Sequence, residues 1–204
     1  MDKREIILST ATDLFGQKGF EGTSVREIAS GANVNVAMIS YYFGSKEKLF
    51  EQMVEYKASF LKGALAELVN NKSLTQLEKL FAVIDSYVER IFQSPHFHHL
   101  LHRELSLENR PQMKDAITEI LLRNIVSVRK IIEDGIASGE FRQVDEDLTI
   151  TTILGTISHL LSSATMCRKI LHKHKDFNPF HNKKLKERVS EHLKQLMRSH
   201  LLKG

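Results

Sequence analysis

Four histidines, His96, His98, His99 and His102, fall within seven positions. On a helix, His98 and His102 would share a face at the i, i+4 spacing that suits a transition metal. No cysteine or carboxylate stands beside them at a spacing that completes a ligand set, and Glu104 is only a loose candidate. The cluster reads as polar histidines at a helix start or lining a pocket, and no metal is assigned. Cys167 is the single cysteine, so it forms no intrachain disulfide; it suits a small apolar position within a helix and a reducing cytoplasm. A glycine-rich phosphate loop, a nucleophile elbow and a pair of acid–base carboxylates are all missing, so the sequence assigns no catalytic residue, no cofactor and no enzymatic activity.

The remaining chemistry is recognition, and it centres on Thr23 to Lys46. Thr23 and Ser24 are helix N-cap types, and Glu27 stands three residues after Ser24 as a capping box requires. Val25, Ile28 and Ala29 share one helical face, and Asn33 tolerates the left-handed backbone with which a helix stops. Asn35 caps a second helix, Gly44 ends it, and Ser45 caps a third. Two short capped helices about a tight turn form a helix-turn-helix, whose second helix fits a DNA major groove. At roughly 100° per residue, Met38, Ile39 and Tyr42 face inward, while Val36, Ala37, Ser40 and Tyr41 make a small outward face with one aromatic. A short connecting helix buried in some other all-α protein carries the same caps and the same period.

A family resemblance separates these two readings. Ile6-Ile7, Ala11, Leu14-Phe15 and Gly19-Phe20 lead into Thr23-Ser-Val-Arg-Glu-Ile-Ala, then Ala32-Asn-Val, then Tyr41-Tyr-Phe-Gly-Ser-Lys46-Glu-Lys-Leu-Phe50. This ordered series resembles the N-terminal domain of the TetR (tetracycline-repressor-like) family of bacterial transcription regulators. Asn33 stands where the family usually has Gly, and Ser40 where a Tyr is common, which shortens one frequent DNA contact. The resemblance implies a sequence-specific DNA-binding regulator, by family default a repressor, bound to a double-stranded operator and released by a small molecule. It implies that Arg26, Val36, Ala37, Ser40 and Tyr41 approach DNA. Thr23, Ser24, Tyr42 and Lys46 then serve phosphates or positioning, and Asn35, the cap of the second helix, is counted among the DNA-binding residues. The reading from a different functional class is a helical ligand- or metal-binding module whose N-terminal motif is only structural.

The 204 residues are 42% hydrophobic and 26% charged, the composition of an ordinary globular chain. Three prolines, no Trp and long periodic stretches predict an all-α fold of about nine helices. The expected division is a helix-turn-helix DNA-binding domain over 1–47 and a helical effector-binding and dimerisation domain over 48–204. No apolar run reaches membrane-spanning length and no leader is evident, so a cytoplasmic location is expected, with no membrane partner. The net charge is +4, yet residues 1–50 carry six bases and six acids; the basic excess lies from Arg168 to Lys203. DNA binding must therefore rest on the placement of Arg26, Lys46 and the arm residues Lys3 and Arg4 rather than on bulk charge.

Beyond the motif, helices are expected from Ser45 past Phe60, from Leu74 to Phe92, from His96 to about Leu107, and from Met113 to Ala137. An apolar helix from Glu146 through Ala164 and a last one from about Asn182 complete the chain. Phe60, Phe81, Ile84, Tyr87, Val88, Phe92, Met113 and Leu121 are expected around a common interior, with His98 and His102 on a polar side. In the resembling family the helices after the fourth enclose an apolar pocket, which implies a small apolar or amphipathic effector here. Ile153, Leu154, Ile157, Leu160 and Leu161 form one apolar stripe, and Leu185, Val189, Leu193 and Leu196 another. Both are expected to meet their copies in a four-helix seam, making a homodimer that reads two half-sites.

Overall fold

The computed structural model describes residues 2–203, with the side chains of Leu61, Leu160, Leu161 and Ser162 excepted. The regular structure of the described residues is all helical, with no strand. In chain order the helices are α1 (Lys3–Lys18), α2 (Val25–Gly31), α3 (Val36–Phe43), α4 (Lys46–Asn70) and α5 (Gln76–Gln93). There follow α6 (Pro95–Ser106), α7 (Pro111–Ala137), α8 (Glu146–Ser162), α9 (Ala164–Ile170) and α10 (Lys183–Leu201), with a 3₁₀ turn at Pro179–His181. Ten α-helices stand where about nine were expected. The added one, α9, starts where the expected Glu146–Ala164 helix was to end: Ser163 is extended (φ −146°, ψ 115°) and its hydroxyl accepts from the Met166 N–H. A serine that caps a new helix ends the old one.

The chain forms two compact units, Met1–Gly63 with His96–Asn124, and Ala64–Pro95 with Ile125–Gly204. In the first, three rings make the centre of the core. Phe15 stacks on Phe20 at 5.5 Å and 9°, and Phe50 meets both edge-on at 5.3 and 5.4 Å. Ile7, Leu8, Ile28, Ile39, Leu49 and Met53 surround them, and Leu100, Leu101, Met113 and Ile117 of α6 and α7 close the same cluster.

The second unit is organised by α5 and α10, which pack against each other. Thr75 and Glu78 form a capping box at the start of α5. The Glu140 carboxylate accepts from the backbone N–H groups of Gln76 and Leu77 at 2.9 and 2.8 Å, satisfying two more donors of that helix end. Glu140 is placed by the turn after α7: Gly139 has φ 76°, and Phe141 is buried against Gly135. Arg142 completes the joint by donating from its backbone N–H to the Leu201 carbonyl and from Nε to the His200 carbonyl. Lys79, itself buried, donates to the Val69 carbonyl in the last turn of α4, where a cation favours the helix dipole.

The expected dimer stripes require correction. Ile153, Ile157, Leu185, Val189 and Leu193 are all buried within one chain, and Ile157 and Leu193 are wholly so. A side chain already removed from water by its own protomer has no apolar surface left for a partner. Leu154 is half-buried, Leu196 is 37% exposed, and Leu160 and Leu161 lie outside the described side chains. Among the described side chains of α8 to α10, the large apolar groups most open to solvent are Leu148, Met166, Ile170 and Leu196.

A Cβ added at Gly135 would sit 2.2 to 2.8 Å from three atoms of the Phe141 ring. Gly135→Ala is therefore expected to destabilise the chain by ~1–3 kcal/mol through overpacking. A lower midpoint in denaturant unfolding checks this, and an unchanged midpoint removes the joint at Phe141 from the account.

Candidate nucleic-acid interface

Each turn around α2 and α3 is closed by the residue type that its backbone requires. The Ser24 hydroxyl accepts from the Glu27 N–H, and the Glu27 carboxylate accepts from the Ser24 N–H at 2.8 Å. Asn33 has φ 51° and turns the chain out of α2. The Asn35 side chain accepts from the Ala37 N–H at 2.9 Å, and Gly44 ends α3 with φ 80°. The Ser45 hydroxyl accepts from the Lys48 N–H at the start of α4. Caps of this kind are each worth about 1 kcal/mol, which is large for helices of seven and eight residues.

With its ends fixed, α3 turns Ile39 and Phe43 into the core and leaves Val36, Ala37, Ser40 and Tyr41 exposed. The Tyr41 ring is 83% exposed and meets Tyr42 edge-on at 5.2 Å, while half-buried Tyr42 leans on Phe43. Beside this face lies a cleft of about 460 Å³. Glu21, Ser24, Val25, Ile39, Ser40, Gly44, Ser45 and Lys46 line it, together with Thr23. Two helices thus begin at the cleft, α2 and the long α4, and helix starts favour anions. Small neutral groups, one open aromatic and a pocket bounded by helix starts can lie along a duplex and hold a phosphate.

Thr23 must be corrected. It is 1% exposed, and its hydroxyl is spent on the carbonyls of Gly19 and Leu14 inside the unit, so its side chain cannot reach a phosphate. Among the expected basic groups, Arg26 is exposed with no carboxylate partner among the described residues. The Lys46 ammonium stands 4.4 Å from the Phe20 ring centroid, at the edge of the cleft. Arg4 is occupied: it donates to Gln52 at 2.7 Å and lies over the Phe43 ring. Gly44 and Ser45 belong to the cleft although the sequence marked them only as stop and cap, and cap type was itself the available signal.

The acids of this surface are held. Lys18 and the Ser24 amide and hydroxyl pull the Glu27 carboxyl down to about 2. Glu47 is lowered by its own backbone N–H and by the Ser45 hydroxyl. Both carboxylates stay ionised but have their lone pairs turned into helix starts.

The ten residues expected around an effector divide between the units. Phe60, His98, His102, Met113 and Leu121 belong to the first, and Phe81, Ile84, Tyr87, Val88 and Phe92 to the second. Met113 belongs to the core cluster of the first unit, while Phe60 is 54% exposed and His102 is exposed. Ile84 and Val88 are buried, and the second, with Asp85 and Glu89, lines a groove with α10. Tyr87 hydrogen-bonds Ser158, and burial pushes its hydroxyl upward. Among the described residues no three His, Cys, Asp or Glu side chains converge as a metal site.

The fold and this surface define a helix-turn-helix DNA-binding regulator. Residues 7–53 match the model for bacterial regulatory proteins of the tetR family, and residues 73–162 match that for the tetracyclin repressor-like C-terminal domain. The probable HTH-type transcriptional regulator YttP of Bacillus subtilis is 34% identical over 142 residues, 68% of this chain and 67% of that protein. The HTH-type transcriptional repressor NicS of Pseudomonas putida is 33% identical over 156 residues, 72% and 68% of the two. Among solved structures, FadR of Bacillus subtilis in complex with stearoyl-CoA superposes with a TM-score of 0.75 at 24% identity, covering 93% of this chain and 96% of that one. The fatty acid degradation regulator FadR of Bacillus halodurans gives 0.77 at 20% identity, with 97% of each chain covered. The chain belongs to the TetR family of bacterial transcription regulators. No single helix among the described residues is long and apolar enough to cross a membrane.

The capping box also sets a pH dependence. Because the folded Glu27 carboxyl lies below its ordinary 4.5, its contribution to α2 is complete above that value and is lost as the pH falls through about 2. A carboxyl-carbon NMR titration should give a midpoint near 2, and Glu27→Gln should abolish the pH dependence of α2 protection across this window. A midpoint at the ordinary 4.5 removes this pH dependence.

Proposed function

We propose that the chain is a homodimeric repressor that grips a double-stranded operator through α3 and is released by a small apolar or amphipathic molecule. The observation that carries the DNA reading is the open face of α3, held between two capped turns beside a cleft at the start of α4. Val36, Ala37, Ser40 and Tyr41, with Arg26 from α2, read base edges; Ser24, Asn35, Tyr42 and Lys46 meet or orient the phosphate backbone. Residues 1–47 act as the DNA-binding part and 48–204 as the effector and dimer part, in the cytoplasm where the operator lies. With residues 1–50 carrying as many acids as bases, non-specific attraction is weak and base contacts carry the discrimination.

An electrophoretic mobility assay on DNA upstream of its own coding region tests the reading. Lys46→Ala is expected to weaken upstream and unrelated duplexes alike, whereas Arg26→Ala should cost ~1–3 kcal/mol on the upstream site alone by relaxing preference at one base. Wild-type affinity in both variants at moderate salt rejects this docking.

The effector must bind the DNA-competent state less tightly than the other, or it shifts nothing. The relative NicS is a repressor, and a neighbour of the same fold holds stearoyl-CoA, which makes an acyl-CoA the first probe to titrate. A ligand that raises the melting temperature and leaves operator affinity unchanged argues against the induction scheme.

Dimerisation uses the exposed side of α8 and α10 rather than the buried stripes. Thr156 and His159 of α8 share an apolar groove of about 360 Å³ with Arg188 and His192 of α10, and Leu148 and Leu196 continue the two rows one or two turns on. Gly155 on α8 is exposed, and a Cβ there meets nothing within 4 Å. Gly155→Arg therefore leaves the protomer intact and obstructs an approaching copy. Sedimentation should show a wild-type dimer and a Gly155→Arg monomer at micromolar concentration; a wild-type monomer, or an undiminished variant dimer, rejects this face.

A further inference from the structure

We propose that Arg110, which lies outside the helix-turn-helix, is a positioning residue for DNA binding: it grips the α1–α2 turn from the buried carboxylate of Glu104 and thereby sets the cleft beside α3. The inference rests on reading that cleft as the DNA-facing surface.

Glu104 of α6 is 2% exposed, and two guanidinium groups hold it. Arg103 donates to its Oε1 from Nη2 at 3.0 Å and from Nε at 3.3 Å, and Arg110 donates to Oε2 from its own Nη2. From that anchor the two arginines between them reach three successive residues of the α1–α2 turn, Gly19, Phe20 and Glu21. The Arg103 guanidinium lies against Gly19, so that a Cβ there would stand 2.3 Å from Nη2. The Arg110 guanidinium carbon lies 4.3 Å from the Phe20 ring centroid, and Nη1 donates to the Glu21 carboxylate. Lys46 stands on the same Phe20 ring, and Glu21 and Lys46 both line the cleft.

This geometry needs arginine. A planar fork can donate to two carboxylates from its two ends while its face lies on a ring; a lysine ammonium is a point charge that can do only part of this. A carboxylate buried as deeply as Glu104 requires fixed donors, so the anchor end of the bridge has little freedom. Arg110 is also poorly placed as a phosphate ligand: its side chain is 16% exposed, and each terminal nitrogen already donates to a carboxylate. Its Nε finds no acceptor among the described residues, so the side chain is held for the bridge and not for its own full satisfaction. What it controls is the turn, and through Phe20 and Glu21 the wall of the cleft and the stance of Lys46.

Arg110→Lys keeps the charge and loses the bridge. On the duplex upstream of the coding region, its affinity should fall about 2–30-fold, the range for substitutions that act through a neighbour. The slope of log affinity against log salt should not change, because no phosphate contact is lost. In a Glu21→Gln background the same substitution should have little further effect. Amide hydrogen exchange should rise at residues 19–24 and 44–48 while α1 keeps its protection. Three results overturn the proposal: wild-type affinity in Arg110→Lys, unchanged exchange in those segments, or an Arg110→Ala variant that lowers the salt slope by about one on upstream and unrelated duplexes alike, which marks a direct phosphate contact. The exchange measurement uses no DNA. If the wild-type chain fails to retard the upstream duplex, the regulator reading of the cleft fails by itself, and exchange still decides whether Arg110 orders the turn.

Discussion

Helices of seven and eight residues do not persist in water by themselves, because the unfavourable first turn is followed by too few propagating bonds. α2 and α3 are of this length, so they exist only while their inner sides have something to lie on. The three rings of Phe15, Phe20 and Phe50 supply that floor, with Ile28, Ala29, Ile39 and Phe43 set into it. Everything that faces outward, from Ser24 to Tyr41, inherits its position from this buried contact. Phe20 serves twice, as core and as the surface on which the side chains of Lys46 and Arg110 rest.

The electrostatics of the same unit follow a matching economy. Its acids are abundant but mostly engaged: Glu27 in a capping box and on Lys18, Glu47 on the Ser45 hydroxyl and its own amide, Glu104 between two guanidiniums, Glu21 on Arg110. A surface whose charges are paired in this way exerts little pull at a distance, since exposed pairs are screened within about a Debye length, ~8–10 Å. Selectivity then depends on close fit, which a stiff and well-capped α3 is suited to provide.

The DNA-facing motif was legible in the sequence because its determinants are local. Ser24 with Glu27, Asn33, Asn35 and Gly44 each act on backbone within three residues, and each performs in the structure the task its type suggests. The stripes of α8 and α10 were legible as apolar faces but not as to what covers them, because period alone does not distinguish a neighbour in the same chain from a second copy. Burial of Ile153, Ile157 and Leu193 decides for the same chain. Thr23 misled for a related reason: a cap-type residue at a helix start can turn its hydroxyl inward to Gly19 and Leu14. The Arg110–Glu21 contact joins residues 89 positions apart, and nothing in the spacing around Asn109-Arg-Pro111 announces it. Ser163 carried a cap signal within a run of apolar residues, where the periodicity on both sides hid it.

The packing of α5 against α10 has a consequence in time as well as in space. The Asp85–Ser190 and Glu89–Lys186 links that join these helices span 105 and 97 positions, so α5 is made long before the surface that covers Leu80, Ile84 and Val88. At ordinary rates of synthesis the delay is roughly 5–20 s, far longer than a helix takes to form. During that interval an amphipathic helix shows water an apolar stripe with no partner of its own chain. The second unit is therefore a late-closing one, and its exposure to chaperones or to misassociation is set by the order in which its helices emerge rather than by the stability it finally reaches.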